Sequence, residues 1–137
     1  MTARIQVHPV AALALLLAVT ACAQKAPRVK PGAEVLVEQQ LALLSGKRVG
    51  VICNQTSLLP DGRHLVDALL DKGVRVTALF GPEHGIRGTA AAGKKISDTT
   101  DSVTGLPVYS LYGSTTKPTA GMLADVDVLL FDIQDVG

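Results

Sequence analysis

The sequence predicts an α/β fold built on a doubly wound parallel sheet. Three observations carry that reading. Continuous apolar runs suited to buried strands recur along the chain, segments with helical spacing lie between them, and glycines close the helical segments.

The chain has 137 residues, and its first part has the pattern of an export signal rather than of a folded element. Arg4 precedes an apolar stretch from Val10 to Val19, followed by Thr20, Ala21 and Cys22. That stretch is about half the roughly 20 residues needed to span a bilayer, so a cleaved signal is the better reading than a permanent membrane helix. Val19-Thr20-Ala21-Cys22 resembles the lipobox of bacterial lipoproteins, in which the cysteine is acylated and becomes the new N-terminus. Acyl chains at Cys22, contributing about 0.8 kcal/mol per buried methylene, would anchor the protein stably, which implies the periplasmic side of the cell envelope. Ordinary signal cleavage near Ala21 is the competing reading.

Loss of residues 1–21 removes one charged side chain, Arg4, and leaves 12 basic against 12 acidic groups. A neutral balance of that kind gives no footprint for nucleic acid. With Cys22 acylated, Cys53 is the one remaining thiol, so no intrachain disulfide is expected; its apolar surroundings point to a buried, inert group.

Residues 22–33 read as a tether, since AQKAPRVKPGA after Cys22 holds two prolines, a glycine and three basic residues with few large apolar side chains. From Glu34, the spacing of Val37, Leu41 and Leu44 predicts an amphipathic helix stopped by Gly46. Arg48 to Asn54 predicts a first strand, continuously apolar through Val49-Gly50-Val51-Ile52-Cys53 as for a strand covered on both faces. A second helix is expected over His64 to Lys72, with Gly73 as its stop, and a second strand over Val74 to Phe80. Gly81 to Pro118 is long for a connection and is expected to hold at most a short extended piece, Pro107 to Leu111. A short helix capped by Thr119 then leads to a third strand, Val126 to Phe131. The expected domain, residues 34–137, is thus a parallel sheet incomplete at its C-terminus.

In open parallel sheets, ligands bind outside the carboxyl ends of the strands, and all three expected strand ends are polar. They read Asn54-Gln55-Thr56, Gly81-Pro82-Glu83-His84-Gly85 and Asp132-Ile133-Gln134-Asp135. Single Asn or Asp residues at such positions also cap helices and turns, so Asn54 or Asp135 alone is ambiguous. Glu83-His84 points more firmly to a site, because two adjacent ionisable groups sit between Pro82 and Gly85, residues that fix backbone direction. A glycosidase needs one carboxylic acid to protonate the leaving oxygen and a second group at the anomeric centre, and Glu83 with Asp132 or Asp135 supplies such a pair. Other chemistries fit less well. No Gly-x-Gly-x-x-Gly follows the first strand and there is no Walker lysine motif, so no nucleotide cofactor is expected. No metal site is expected either, since His84 lacks a nearby partner and His64 starts a helix elsewhere. A Gly-x-Ser-x-Gly elbow is absent, which leaves Ser57 and Ser110 as loop residues.

The strand-end segments resemble the exo-β-N-acetylmuramidase family, long catalogued as a domain of unknown function. The resemblance is carried by GKRVG (46–50), Asn54 with Thr56, DGRH (61–64), GPEHGIRG (81–88), GLPVYSLYG (105–113), KPT (117–119) and VDVLLFDIQDVG (126–137). It implies a Rossmann-like catalytic domain followed by a smaller one, and release of N-acetylmuramic acid from the non-reducing end of peptidoglycan fragments. By the same resemblance, Glu83 is the catalytic acid and His84 its neighbour, orienting water or substrate. Asn54, Asp132, Gln134 and Asp135 would line the substrate crevice, with muropeptide or glycan fragments as partners. Family members continue past Gly137, so the chain reads as an N-terminal fragment. A non-catalytic sugar-binding lipoprotein using the same crevice is the alternative.

Overall fold

A computed structural model describes residues 28–82, 85–88 and 99–134. Helix α1 spans Gly32–Gln39 and breaks at Gln40, and a 3-10 turn, Leu41–Leu44, replaces the continuous helix expected to Gly46. In a 3-10 turn, residues three apart eclipse, so Leu41 and Leu44 both meet the core without the chain keeping α geometry. Glu34 is buried on α1; Arg28 and Lys30, from the expected tether, pair with Glu34 and Glu38 and fasten the entering chain to the helix.

Strand β1 is Val49–Cys53, helix α2 Leu65–Asp71 and strand β2 Val76–Gly81. Helix α2 is capped by His64, whose side chain accepts from the Val66 amide, and ends at Gly73, where a φ of 75° admits the left-handed stop. The 81–118 segment contains more order than the sequence indicated: β3, Thr99–Thr100, and β4, Pro107–Ser110. Strand β4 pairs in parallel with β2 through Leu79↔Val108, Phe80↔Tyr109 and Gly81↔Ser110, and β3 runs antiparallel to β4. A four-residue strand opening on proline is too short to show an apolar period, although proline at a first strand position costs no ladder bond. Residues 120–125 form successive turns rather than the expected helix, with Thr119 Oγ1 accepting from the Met122 amide at 3.3 Å. Strand β5, Val128–Asp132, closes the described order β3-β4-β2-β1-β5.

The sheet therefore has four parallel strands and one short antiparallel one, with its faces covered unequally. Val49, Val51, Cys53, Leu79 and Val108 pack on α1 and α2 through Val37, Leu44, Leu65, Val66 and Leu69. On the opposite face, Phe80, Ala78 and Leu111 are sealed by Met122, Leu123 and Val126 of the turn segment, with the Phe80 and Tyr109 rings 5.5 Å apart. Gly50 lets that layer close, since a Cβ there would lie 2.9 Å from Leu129 Cδ1 and 3.0 Å from Phe80 Cε2. At the outer strand, Leu129 and Phe131 stay exposed on this face, Phe131 at 71%. At the amino end of the sheet, Arg48 joins β1 to β5 through Asp127 and Asp125, and this pairing holds the Asp127 carboxyl well below the usual range.

Cys53 is fully buried, and desolvation pushes its thiol up to about 12. Only the thiolate is an effective nucleophile. Native protein treated with iodoacetamide at pH 8 should therefore leave Cys53 unmodified by peptide mass mapping, and urea should expose it to full alkylation.

Candidate active site at the carboxyl ends of the strands

Beyond β4 the chain returns across the sheet to lay β5 beside β1, so the strand order reverses between these two. Such a reversal opens a crevice at the carboxyl ends of the flanking strands, the place where open α/β sheets bind ligands. Asn54, Asp132 and Gln134 all lie at this reversal.

The turn after β1 is built by its own side chains. Asn54 Oδ1 accepts from the Thr56 amide at 2.8 Å and from Thr56 Oγ1 at 2.6 Å, an Asx turn. Asn54 thus has the capping role that the sequence left open, with Oδ1 serving the turn. Thr56 Oγ1 also accepts from the Gln134 amide at 2.9 Å, and Ser57 Oγ donates to the Asp132 carbonyl. These two hydroxyls stitch the β1 turn to the end of β5, so Ser57 is a loop residue buried at 1% exposure, whereas Ser110, also expected in a loop, ends β4. The signal for Ser57 in the sequence was slight, a small hydroxyl three residues past a strand end.

His64 requires a correction as well. It caps α2, but it also lies against the crevice, with Nε2 3.0 Å from the Asn54 carbonyl. Because Nδ1 accepts from the Val66 amide, the proton sits on Nε2 and is donated to Asn54. The imidazole is thus committed on both nitrogens and braces the strand end.

Asp132 is half-buried at the end of β5, beside a cavity of about 240 Å³ lined also by Gly32, Ala33, Leu36, Leu65, Leu130 and Phe131. Burial raises its carboxyl above the usual range. A separate charged depression between α1 and residues 59–63 holds none of the candidate residues. Among the described residues, no group of three or more His, Cys, Asp or Glu side chains could hold a metal, and no helix is long and apolar enough to cross a membrane.

Glu83, His84, Asp135 and Cys22 lie outside the described residues, but both flanks of Glu83-His84 are described. A Cβ on Gly81 would sit 3.5 Å from Gly85 Cα, an ordinary van der Waals approach at the end of β2. Ile86 is buried in the core, and Gly88 lies so close to Gln55 that a Cβ would meet its side chain at 2.9 Å. The segments following β1, β2 and β5 are therefore contiguous at one end of the sheet.

Arg87 is the feature whose role the sequence did not disclose. It forms a two-pronged pair with Asp67 of α2, at 2.7 and 2.8 Å, and a second with Asp101 ahead of β4, at 2.9 and 3.2 Å. The hydrogen bonds from Arg87 lower the Asp67 carboxyl. For Asp101, 5% exposed, burial pushes upward, but the bonds from Arg87 and Thr104 outweigh it and the net direction is down. Carboxylates depressed in the folded state add stability above their unfolded range, and that contribution is lost as pH falls through their folded values. Thermal midpoints should therefore hold from neutrality to about pH 5 and fall below about pH 4. Asp101→Asn should start lower and show a shallower acid decline by differential scanning fluorimetry.

A family model described as "Exo-beta-N-acetylmuramidase NamZ, N-terminal" matches residues 49–137. Peptidoglycan beta-N-acetylmuramidase NamZ of Bacillus subtilis (strain 168) is 48% identical over 114 residues, covering 82% of this chain and 28% of that protein. The crystal structure of a DUF1343 family protein from Bacteroides fragilis NCTC 9343 aligns with a TM-score of 0.69 at 50% identity, over 81% of this chain and 28% of that one. A second such protein from the same strain aligns at 0.57 and 38% identity, over 74% and 25%. The chain thus spans little more than a quarter of the length of these relatives. The strand-end segments that build the crevice fall within the matched residues, and the chain belongs to the exo-β-N-acetylmuramidase NamZ family, matching its N-terminal part.

Proposed function

We propose that this chain contributes the crevice of a glycoside hydrolase that releases N-acetylmuramic acid from the non-reducing end of peptidoglycan fragments. The carrying observation is that the segments matching the family meet at the reversal of strand order, where a sugar would bind. Glu83 is the proton donor to the glycosidic oxygen and His84 orients water or substrate beside it. Asp132, whose carboxyl burial raises above the usual range, or Asp135 is the second group at the anomeric centre, with Asn54 and Gln134 as hydrogen-bonding walls. Similarity to a relative named as a peptidoglycan muramidase favours hydrolysis over sugar binding alone.

The reading extends to a lipid anchor at Cys22 on the periplasmic side, where cell-wall fragments are found. Two assays test it. A chromogenic β-N-acetylmuramide should be hydrolysed by the full-length protein, and absence of release there would return the chain to the sugar-binding alternative. Cells fed an alkynyl fatty acid should label the protein, and Cys22→Ser should abolish the label; labelling that survives the substitution removes the anchor from the reading.

A further inference from the structure

We infer that Arg87 is a positioning residue for the reaction, fixing residues 85–88 to α2 and to the approach to β4; this rests on the function proposed above. Arg87 lies four residues past Glu83 and three past His84 in the sequence. Its guanidinium is 20% exposed and engages four carboxylate oxygens on two other elements. Asp67 belongs to the first turn of α2, and Asp101 also accepts from the amide and hydroxyl of Thr104 at 3.1 and 2.7 Å. The partners are thus themselves fixed, one by a helix and one by a turn.

A planar fork bonded to two carboxylates sets direction as well as distance, which a point charge on a flexible stem does not. Residues 86–88 are held by different means: Ile86 inserts into the core, Arg87 clamps sideways, and Gly88 lies on Gln55. Arg87 joins them to both α2 and the approach to β4 through charged hydrogen bonds. A shift of about 1 Å in a reacting group costs on the order of a hundredfold in rate, so a clamp of this type acts on turnover rather than on affinity.

The test uses the full-length protein with Arg87→Lys, Arg87→Met and Asp101→Asn, assayed on a natural disaccharide fragment, whose leaving group needs the proton. Arg87→Lys should lower kcat about 10- to 100-fold while KM stays within about threefold. Asp101→Asn, which withdraws one carboxylate from an intact Arg87, should reproduce part of that loss. Hydrogen exchange, which needs no activity, should show faster exchange in Arg87→Met confined to the peptide 81–88, with β1 and α2 unchanged. A kcat within threefold in Arg87→Lys, a loss that vanishes on normalising to folded protein, or exchange spread evenly over β1 and α2 would each overturn the positioning role. An unsubstituted protein that releases nothing overturns the proposed reaction instead, and the exchange result then still shows whether Arg87 pins the segment.

Discussion

Glu83→Gln in the full-length protein should lower kcat on a natural disaccharide fragment about 10³-fold, within the 10²- to 10⁴-fold range general acid catalysis contributes, with KM little changed. Glutamine keeps the shape and one acceptor of the side chain but has no acidic proton to give to the leaving oxygen. On a substrate with a nitrophenyl leaving group the loss should be smaller, because that group departs without needing a proton. Steady-state kinetics on the two substrates side by side therefore identify the role and not only the importance of the residue. An equal loss on both would assign Glu83 to the anomeric centre and give protonation to another group, with Asp132, whose carboxyl burial raises, the first candidate.

Phe80→Ala should destabilise the protein by about 3–5 kcal/mol, the largest stability effect expected of a single side chain here. Phe80 is fully buried, belongs to the less thickly covered face of the sheet, and packs on Tyr109 and beside Gly50. The turn segment above it, anchored by Met122, Leu123 and Val126, is irregular, and truncation opens a void between it and the sheet. Chemical unfolding followed by far-ultraviolet circular dichroism measures the loss. A change under about 1 kcal/mol would mean that this layer repacks freely and is not a close-packed core.

The parallel sheet was legible because β1 and β5 carry apolar runs and β2 one broken only by Thr77, although β5 leaves Leu129 and Phe131 exposed on one face. Strand β4 was visible only as an extended piece, since four residues beginning with proline carry too little pattern to specify pairing. The break at Gln40 was hidden for the opposite reason: Val37, Leu41 and Leu44 satisfy an α-helical period, while the chain meets the same core by tightening to a 3-10 turn. At the site, Asn54, Asp132 and Gln134 were recognisable as polar residues ending apolar strands. Ser57, His64 and Arg87 were not assigned because their partners, Asp132, Asn54, Asp67 and Asp101, are separated from them by 10 to 75 positions. Contacts of that span depend on topology, and topology depended on strand β4.

The direction of α1 has a consequence for orientation. Its first residues, Gly32 and Ala33, share a cavity with Asp132, whereas the following Leu41 and Leu44 lie near Lys72 to Arg75 at the other end of the sheet. The polypeptide thus enters the fold at the carboxyl ends of the strands, where Arg28 and Lys30 pair with α1. Only six peptide bonds separate Cys22 from Arg28, a reach of about 20 Å when fully drawn out. A protein moored through Cys22 would keep Arg28, and the strand ends beside it, near the lipid surface.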